Sequence, residues 1–295
     1  FKQKTAYEIR LSLVGSEMCI RDSFRTEDPR VRTEKPIAYL PVMSFGLGHG
    51  RTLDDAPGIV GITAQELPPL PDAAMTDRSA GRLDPRRWFP HPSRHFEIEI
   101  GCGKGSFILA EAAARPDTNF LGLEWANEFY RYAADRVRRR NLANVRMLRT
   151  DATDFLKWRC PSDIIDVIHL YYSDPWPKTK HHKNRVIQHE FLANAWRCLR
   201  APNALGNGPG GQLRIVTDHL ELWAWNESFA SEWTSPSPES IGRKLLGHPT
   251  APFLRLPFAA PEWAEDDELV GTNYERKTTA AGRPPNAMVL CKLHA

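Results

Sequence analysis

Four acidic side chains, Glu99, Glu124, Asp151 and Asp174, recur about every 25 residues, each at or just beyond the end of an apolar run. Carboxylates accept hydrogen bonds from hydroxyls and offset positive charge, but they repel one another when crowded. Four of them gathered at one place therefore answer to a ligand that is cationic or rich in hydroxyls. The last of the four leads into Asp174-Pro175-Trp176-Pro177-Lys178. Proline on either side of Trp176 locks the backbone, so Asp174 is expected on a stiff loop beside an aromatic ring. The first runs into Glu99-Ile100-Gly101-Cys102-Gly103-Lys104-Gly105, where glycines permit a tight turn and close approach of backbone to a ligand. After Pro177 comes Lys178-Thr179-Lys180-His181-His182-Lys183-Asn184-Arg185, basic and without an acid. Such a run suits a phosphate backbone. No cysteine or carboxylate completes a ligand spacing with His181, His182 and His189, so no metal is expected.

These residues need elements to deliver them. The pattern predicts strands at His95–Ile100, Asn119–Leu123, Val145–Arg149, Ile164–Tyr171 and Gln212–Thr217. Helices are expected over Ser106–Ala114, Asn127–Arg140, Val186–Leu199 and His219–Trp233. Runs near Tyr274–Thr279 and Ala287–Leu293, joined by Gly282-Arg283-Pro284-Pro285-Asn286, read as a closing hairpin. Alternating strands and helices imply a parallel sheet covered on both faces, so the expected class is a Rossmann-like α/β fold with a mostly parallel, seven-stranded sheet and an antiparallel C-terminal hairpin. In such sheets ligands bind beyond the carboxyl ends of the strands, where the four acids fall. S-adenosylmethionine, with its sulfonium, ammonium and ribose hydroxyls, matches an acidic rim. The phosphates of a dinucleotide do not, and an NAD enzyme would leave Asp151 and the Asp-Pro-Trp segment without a purpose.

Bulk properties set outer bounds. The chain has 295 residues, 41% hydrophobic and 25% charged, with a formal net charge of +3. A nucleic-acid surface must then come from local clustering rather than from overall charge. A second arginine cluster, at Arg131, Arg136, Arg138, Arg139 and Arg140, reads in part as a solvated helix face. The five cysteines lack the spacing of a disulfide framework or a zinc knuckle, so a reducing, cytoplasmic setting is expected. No apolar run reaches the ~20 residues of a membrane helix. Residues 1–84 are poor in periodicity and are expected to be disordered or loosely attached, with residues 85–295 as the catalytic domain. Residues 1–23 resemble translated sequencing-adapter sequence and are assigned no function.

Taken in order, Glu-Ile-Gly-x-Gly-x-Gly, Gly122-Leu123-Glu124, Asp151-Ala152, Ser173-Asp174-Pro175-Trp176-Pro177-Lys178, Thr217-Asp218 and Thr272-Asn273-Tyr274-Glu275 resemble the tRNA (guanine-N7-)-methyltransferase family from about His95 onward. The resemblance implies methyl transfer from S-adenosylmethionine to N7 of a guanine in the tRNA variable loop. It implies a donor site at Glu99, Gly101, Gly103, Glu124, Asp151, Ala152 and Asp174, with Asp174 also the catalytic carboxylate. Lys178, Asp218, Thr272, Asn273, Tyr274 and Glu275 would contact the substrate. The partner implied is tRNA, with the enzyme a monomer or homodimer, or assisted by a partner subunit as in eukaryotic relatives. Departures from the family pattern are Thr179 and Asn184 in the basic run, the Gly- and Pro-rich Ala201–Gly211 stretch and the long Ser235–Ala264 stretch. The rival readings are a methyltransferase for a small molecule or protein, and an RNA-binding subunit without turnover.

Overall fold

The computed structural model describes residue 47 and residues 52–202 and 210–293. Its elements start and stop close to where the apolar runs and their glycine and proline punctuation put them. They are, in chain order, β1 (Gly61–Thr63), β2 (His95–Ile100), α1 (Ser106–Ala114), β3 (Thr118–Leu123), α2 (Asn127–Arg139), β4 (Val145–Arg149) and β5 (Val167–Tyr171), then α3 (His189–Cys198), β6 (Gln212–Thr217), α4 (Leu220–Thr234), α5 (Ile241–Leu246), β7 (Phe253–Leu256), α6 (Asn273–Ala280) and β8 (Asn286–Lys292). Short single turns connect several of them. Helix α1 is apolar and alanine-rich, buries Phe107, Ile108, Leu109 and Ala112, and ends at Arg115, ahead of Pro116, which cannot continue it. Helix α2 buries Tyr130, Ala133, Ala134 and Val137, the i, i+3, i+4, i+7 stripe of an amphipathic helix.

Among the described residues, eight strands form one sheet in the order β1-β4-β3-β2-β5-β6-β8-β7. Pairings from β1 through β6 are parallel, and β8 runs antiparallel to both β6 and β7. Chain direction across the sheet reverses at β2, from which β3 and β4 extend one way and β5 and β6 the other. This is the switch point where the loops leaving adjacent strands diverge and open a crevice. Phe96, Ile98 and Ile100 of β2 pack with Leu121, Leu148, Ile168, Leu170, Leu213 and Ile215 in the central core. Each such buried side chain contributes on the order of 1.5–3 kcal/mol by leaving water.

Three expectations are corrected. The sheet gains an eighth strand from the segment expected to hang loosely: β1 pairs with β4, with Gly61 opposite Met147. A β-carbon at Gly61 would lie 2.5 Å from the Tyr130 hydroxyl, so glycine lets β1 approach α2. Leu83 N–H donates to the Arg159 carbonyl at 2.8 Å, so residues 52–84 are attached to the fold at both β1 and Leu83. Residues 1–46 lie outside the described residues. The run Tyr274–Thr279 is a helix rather than a strand. Thr272 caps it by accepting from Glu275 N–H, and the antiparallel partner beside β8 is β7, from the long Ser235–Ala264 stretch. Helix α3 begins at His189 rather than Val186, because Arg185 and Gln188 adopt extended backbone before it. Most of the Ala201–Gly211 stretch, residues 203–209, is outside the described residues. No described helix is long and apolar enough to cross a membrane.

Candidate active site at the carboxyl rim

The turn after β2 places Gly101, Gly103 and Gly105 at φ of 70°, 52° and 70°, a region costly for residues with a side chain. A β-carbon on Gly101 or Gly103 would meet nothing within 4 Å. The two glycines thus line open space above the strand ends, and their positive φ, rather than crowding, requires them. Gly103 N–H donates to Glu124 Oε2 at 2.8 Å, and Ala126 N–H to Glu124 Oε1 at 2.8 Å. These bonds fix the Glu124 carboxylate at the end of β3. Beside it the indole of Trp125 is 43% exposed, an aromatic face at the rim that the sequence reading did not single out.

Burial pushes the Glu124 carboxyl above its ordinary value, and the charge of Asp174 pushes the same way, against the backbone N–H bonds. Glu99 lies deeper. Its Oε2 accepts from Ile108 N–H at 3.2 Å in the first turn of α1. Full burial, helped by the nearby Glu124 and Glu111, raises its carboxyl well above the usual range. Asp151 caps the turn that begins with Ala152, its Oδ1 accepting from Thr153 N–H at 2.8 Å and Asp154 N–H at 3.1 Å. The strand order sets β4, β3, β2 and β5 side by side, so Asp151, Glu124, the glycine turn and Asp174 occupy successive positions along one rim. Among the described residues, none of Glu99, Glu124, Asp151 and Asp174 forms an ion pair.

Asp174 sits on the loop after β5. The side chain reaches solvent, yet the surrounding chain desolvates its carboxyl enough to raise it from the ordinary value. The loop is strained: Tyr172 and Trp176 hold φ of 53° and 44°. For bulky residues this left-handed conformation is rare and persists only where the surroundings enforce it. The prolines predicted the stiffness but not its handedness.

Against this loop lies Arg185, read from sequence as one more residue facing phosphate. Instead it is 2% exposed. Its Nε donates to the Pro175 carbonyl at 2.9 Å, its Nη2 to the Trp176 carbonyl at 3.4 Å and to Glu221 Oε1 at 2.6 Å. The guanidinium lies over the Trp225 ring, 5.0 Å from its centre. A charged residue inside a basic run carries no mark of burial, so only the fold reveals this role. Of the rest of the run, Lys178, Thr179, Lys180 and Lys183 are exposed, at the start of and along a short helix over Thr179–Asn184, while His181 and His182 are half-buried.

Of the expected substrate residues, Asp218 is buried at the end of β6 and pairs with Arg283 at 3.0 Å. Tyr274 is 50% exposed and packs on Tyr172, ring centres 4.7 Å apart. The Tyr172 hydroxyl is buried without a hydrogen-bond partner. Asn273 is exposed on the first turn of α6. Glu275 departs from expectation: it is 2% exposed and accepts from Leu269, Val270 and Gly271 N–H at 2.6–2.8 Å. Its carboxylate shapes the backbone ahead of α6 rather than facing a ligand, and Thr272 is the helix cap. The arginines of α2 are tied into the fold. Arg138 and Arg139 pair with Asp135, Arg136 donates to the Lys104 carbonyl, and Arg131 donates to the Leu53 carbonyl.

A cavity of about 320 Å³ lies at the opposite, amino end of the strands, bordered by His95, Glu97, Arg115, Asp166 and Arg200. Two ion pairs cross its lining, Arg115 with Glu97 and Arg200 with Asp166, while Arg214 bonds to Gln212.

Residues 93–237 match a family described as "Putative methyltransferase". A tRNA (guanine-N(7)-)-methyltransferase of Rhodopirellula baltica is 34% identical over 194 residues, 64% of this chain and 62% of that one. One of Nitrobacter hamburgensis is 32% identical over 215 residues, 72% of this chain and 74% of that one. The solved structure of a SAM dependent methyltransferase from Aquifex aeolicus overlaps 68% of this chain and 82% of that one, with 14% identity and a TM-score of 0.37.

Proposed function

This chain belongs to the tRNA (guanine-N(7)-)-methyltransferase family, and we propose from that premise that it transfers the methyl group of S-adenosylmethionine to N7 of a guanine in tRNA, in the variable loop by the resemblance stated above. One observation carries the reading: Glu99, Glu124, Asp151 and Asp174 come from neighbouring strand ends at the switch point and form no ion pair among the described residues. A cationic methyl donor supplies what they lack. Bound there, the donor provides the electrophilic methyl carbon. Glu124 and Asp151 are placed for its hydroxyls, and Gly101 and Gly103 for close backbone approach. Glu99 acts from beneath, by accepting from Ile108 N–H and so orienting the first turn of α1.

Guanine N7 carries an in-plane lone pair, so no proton must leave before attack and no general base is needed. The chain has to align N7 with the methyl carbon and sulfur, and favour the positive charge that arrives on the purine. Asp174, on a stiff loop and without an ionic partner among the described residues, serves both tasks in this reading. Asp218 suits the guanine N1–H and amino group, a pairing adenine cannot offer, and discrimination of that kind reaches about 10⁴-fold. Tyr274 or Trp176 presents a ring on which a base can stack, worth about 1–3 kcal/mol. The exposed Lys178, Lys180 and Lys183 serve the phosphate backbone. The setting is cytoplasmic, and the protein acts as a monomer or homodimer.

The test is incubation with S-adenosylmethionine and unmodified bulk tRNA, followed by chain cleavage at 7-methylguanosine. Cleavage at one guanine supports the reading. Methyl consumption without 7-methylguanosine, or none with any tRNA, would falsify it.

A further inference from the structure

We propose that Arg185 is the positioning residue of the transfer centre: its buried guanidinium holds the Asp174 loop by the carbonyls of Pro175 and Trp176, and is itself held by Glu221 and Trp225 of α4. The proposal rests on the reading of Asp174 as the carboxylate beside the transferred methyl.

The geometry has three parts. First, the Arg185 side chain is 1% exposed while its acid partner Glu221 is 52% exposed. The cation has been drawn inward, away from the solvent that a phosphate-binding arginine needs. Second, the loop it touches is the one whose backbone is least favourable by itself. Trp176 stands in the left-handed region between Pro175 and Pro177. Proline nitrogens carry no hydrogen, so the loop has few donors with which to tie itself down. Its carbonyls are the remaining handles, and Arg185 takes those of Pro175 and Trp176 at 2.9 and 3.4 Å. Third, the same anchor reaches the basic turn. His182 Nε2 lies 3.2 Å from the Glu221 oxygen that Arg185 binds, and the His182 ring meets Trp225 at 5.5 Å. The Asp174 loop and the turn expected to face RNA thus hang from one carboxylate and one indole of α4. The Trp225 indole is fixed in turn by donating to the Ile187 carbonyl at 2.7 Å.

A planar guanidinium can reach two carbonyls and a carboxylate together, whereas a lysine ammonium on its flexible stem cannot reproduce that fork. Arg185→Lys keeps the charge and loses the geometry. Glu221→Gln keeps an acceptor of the same shape and loses the charge. Each variant is compared with wild type by hydrogen exchange of the amides in residues 172–178, by calorimetric S-adenosylmethionine binding, and by single-turnover methylation of tRNA.

For Arg185→Lys, exchange in 172–178 is expected to speed up while β2 and β3 stay protected. Methyl transfer should slow roughly 10- to 100-fold, the scale of a misplaced reacting group. Donor affinity and KM for tRNA should stay within about twofold, since neither ligand touches Arg185. Glu221→Gln should show the same pattern at about 3- to 10-fold, and it decides the matter alone if Arg185→Lys does not fold. Unchanged exchange in 172–178, or wild-type turnover with that loop loosened, overturns the proposal. So does a rate loss matched by an equal loss of donor affinity, which marks a structural role only. If wild type itself yields no 7-methylguanosine, the functional reading fails, while the exchange measurement still decides whether Arg185 holds the loop.

Discussion

At the amino ends of β2 and β5, Glu97 and Asp166 each have basic side chains beside them: Glu97 has Arg115 and His169, Asp166 has Arg200 and His95. At the carboxyl ends of the same strands, Glu99 and Asp174 have no basic partner among the described residues. The two ends respond oppositely. Burial would raise the Glu97 carboxyl, but hydrogen bonds and charge from His169 and Arg115 override it and hold it down to about 2. Burial without such partners raises Glu99, Glu124 and Asp174. Identical side chains on one strand, two residues apart, serve cohesion at one end and stand ready for a foreign cation at the other. On these two strands the acid that stabilises the fold has a basic partner, and the acid read as serving a ligand has none among the described residues.

The largest effect that would break this contrast is Asp174→Asn. Methyl transfer should fall about 10²- to 10³-fold, the cost of losing one preorganised electrostatic group, with the urea midpoint unmoved because no ion pair is lost. Near-normal single-turnover rates would remove Asp174 from the centre. Next is Glu97→Gln, which should destabilise by about 2–4 kcal/mol, since it removes the buried acid bound by Arg115 and His169 and leaves Arg115 with Glu111 alone. The per-molecule rate of the folded fraction should be unaffected, and equilibrium urea unfolding beside activity tests both halves.

Acid titration sharpens the same point. Glu97 is lowered from 4.5 to about 2. Its contribution is therefore complete above the unfolded value, drains as pH falls through that window, and amounts to about 3 kcal/mol at most. Asp174 and Glu124 are raised, so these carboxyls take up protons at higher pH than an ordinary carboxylate, and their protonated forms are no liability to the fold. Donor affinity should accordingly decline on acidification before stability does; calorimetry and circular dichroism over the same pH series would show the order, and simultaneous loss would erase the distinction. The smallest expected effect is Gly101→Ala. Its added β-carbon meets no atom, so only the φ of 70° opposes it, a strain of about 1–2 kcal/mol visible as a modest drop in melting temperature.

The rim was legible in the sequence because β-strand ends, glycine turns and the acids that follow them lie within a few residues of each other. Local order was enough to place Glu99, Gly101, Gly103, Glu124 and Asp151 on neighbouring strand ends. What depended on distant partners was not legible. Arg185 looks like its basic neighbours until Pro175, Trp176 and Glu221, up to 36 residues away, are folded around it. Glu275 looks free until the Leu269–Gly271 backbone turns its N–H groups toward it. Tyr274–Thr279 has β-branched and aromatic residues that favour a strand, and the Thr272 cap tips it to helix. The three-residue β1 is too short to show alternation, and its attachment rests on β4 and Tyr130 across more than sixty positions of chain.

Strand β8, residues 286–292, is slotted between β6 and β7 and bonded to both. During synthesis, every earlier strand emerges before the piece that joins those two. Until it arrives, β6 and β7 present unsatisfied backbone to the surroundings, a template for pairing with another nascent chain. A ribosome that stalls shortly before codon 286 would release a product whose central parallel strands can form but whose flank stays open, so such truncations are expected in inclusion bodies rather than as partly active monomers.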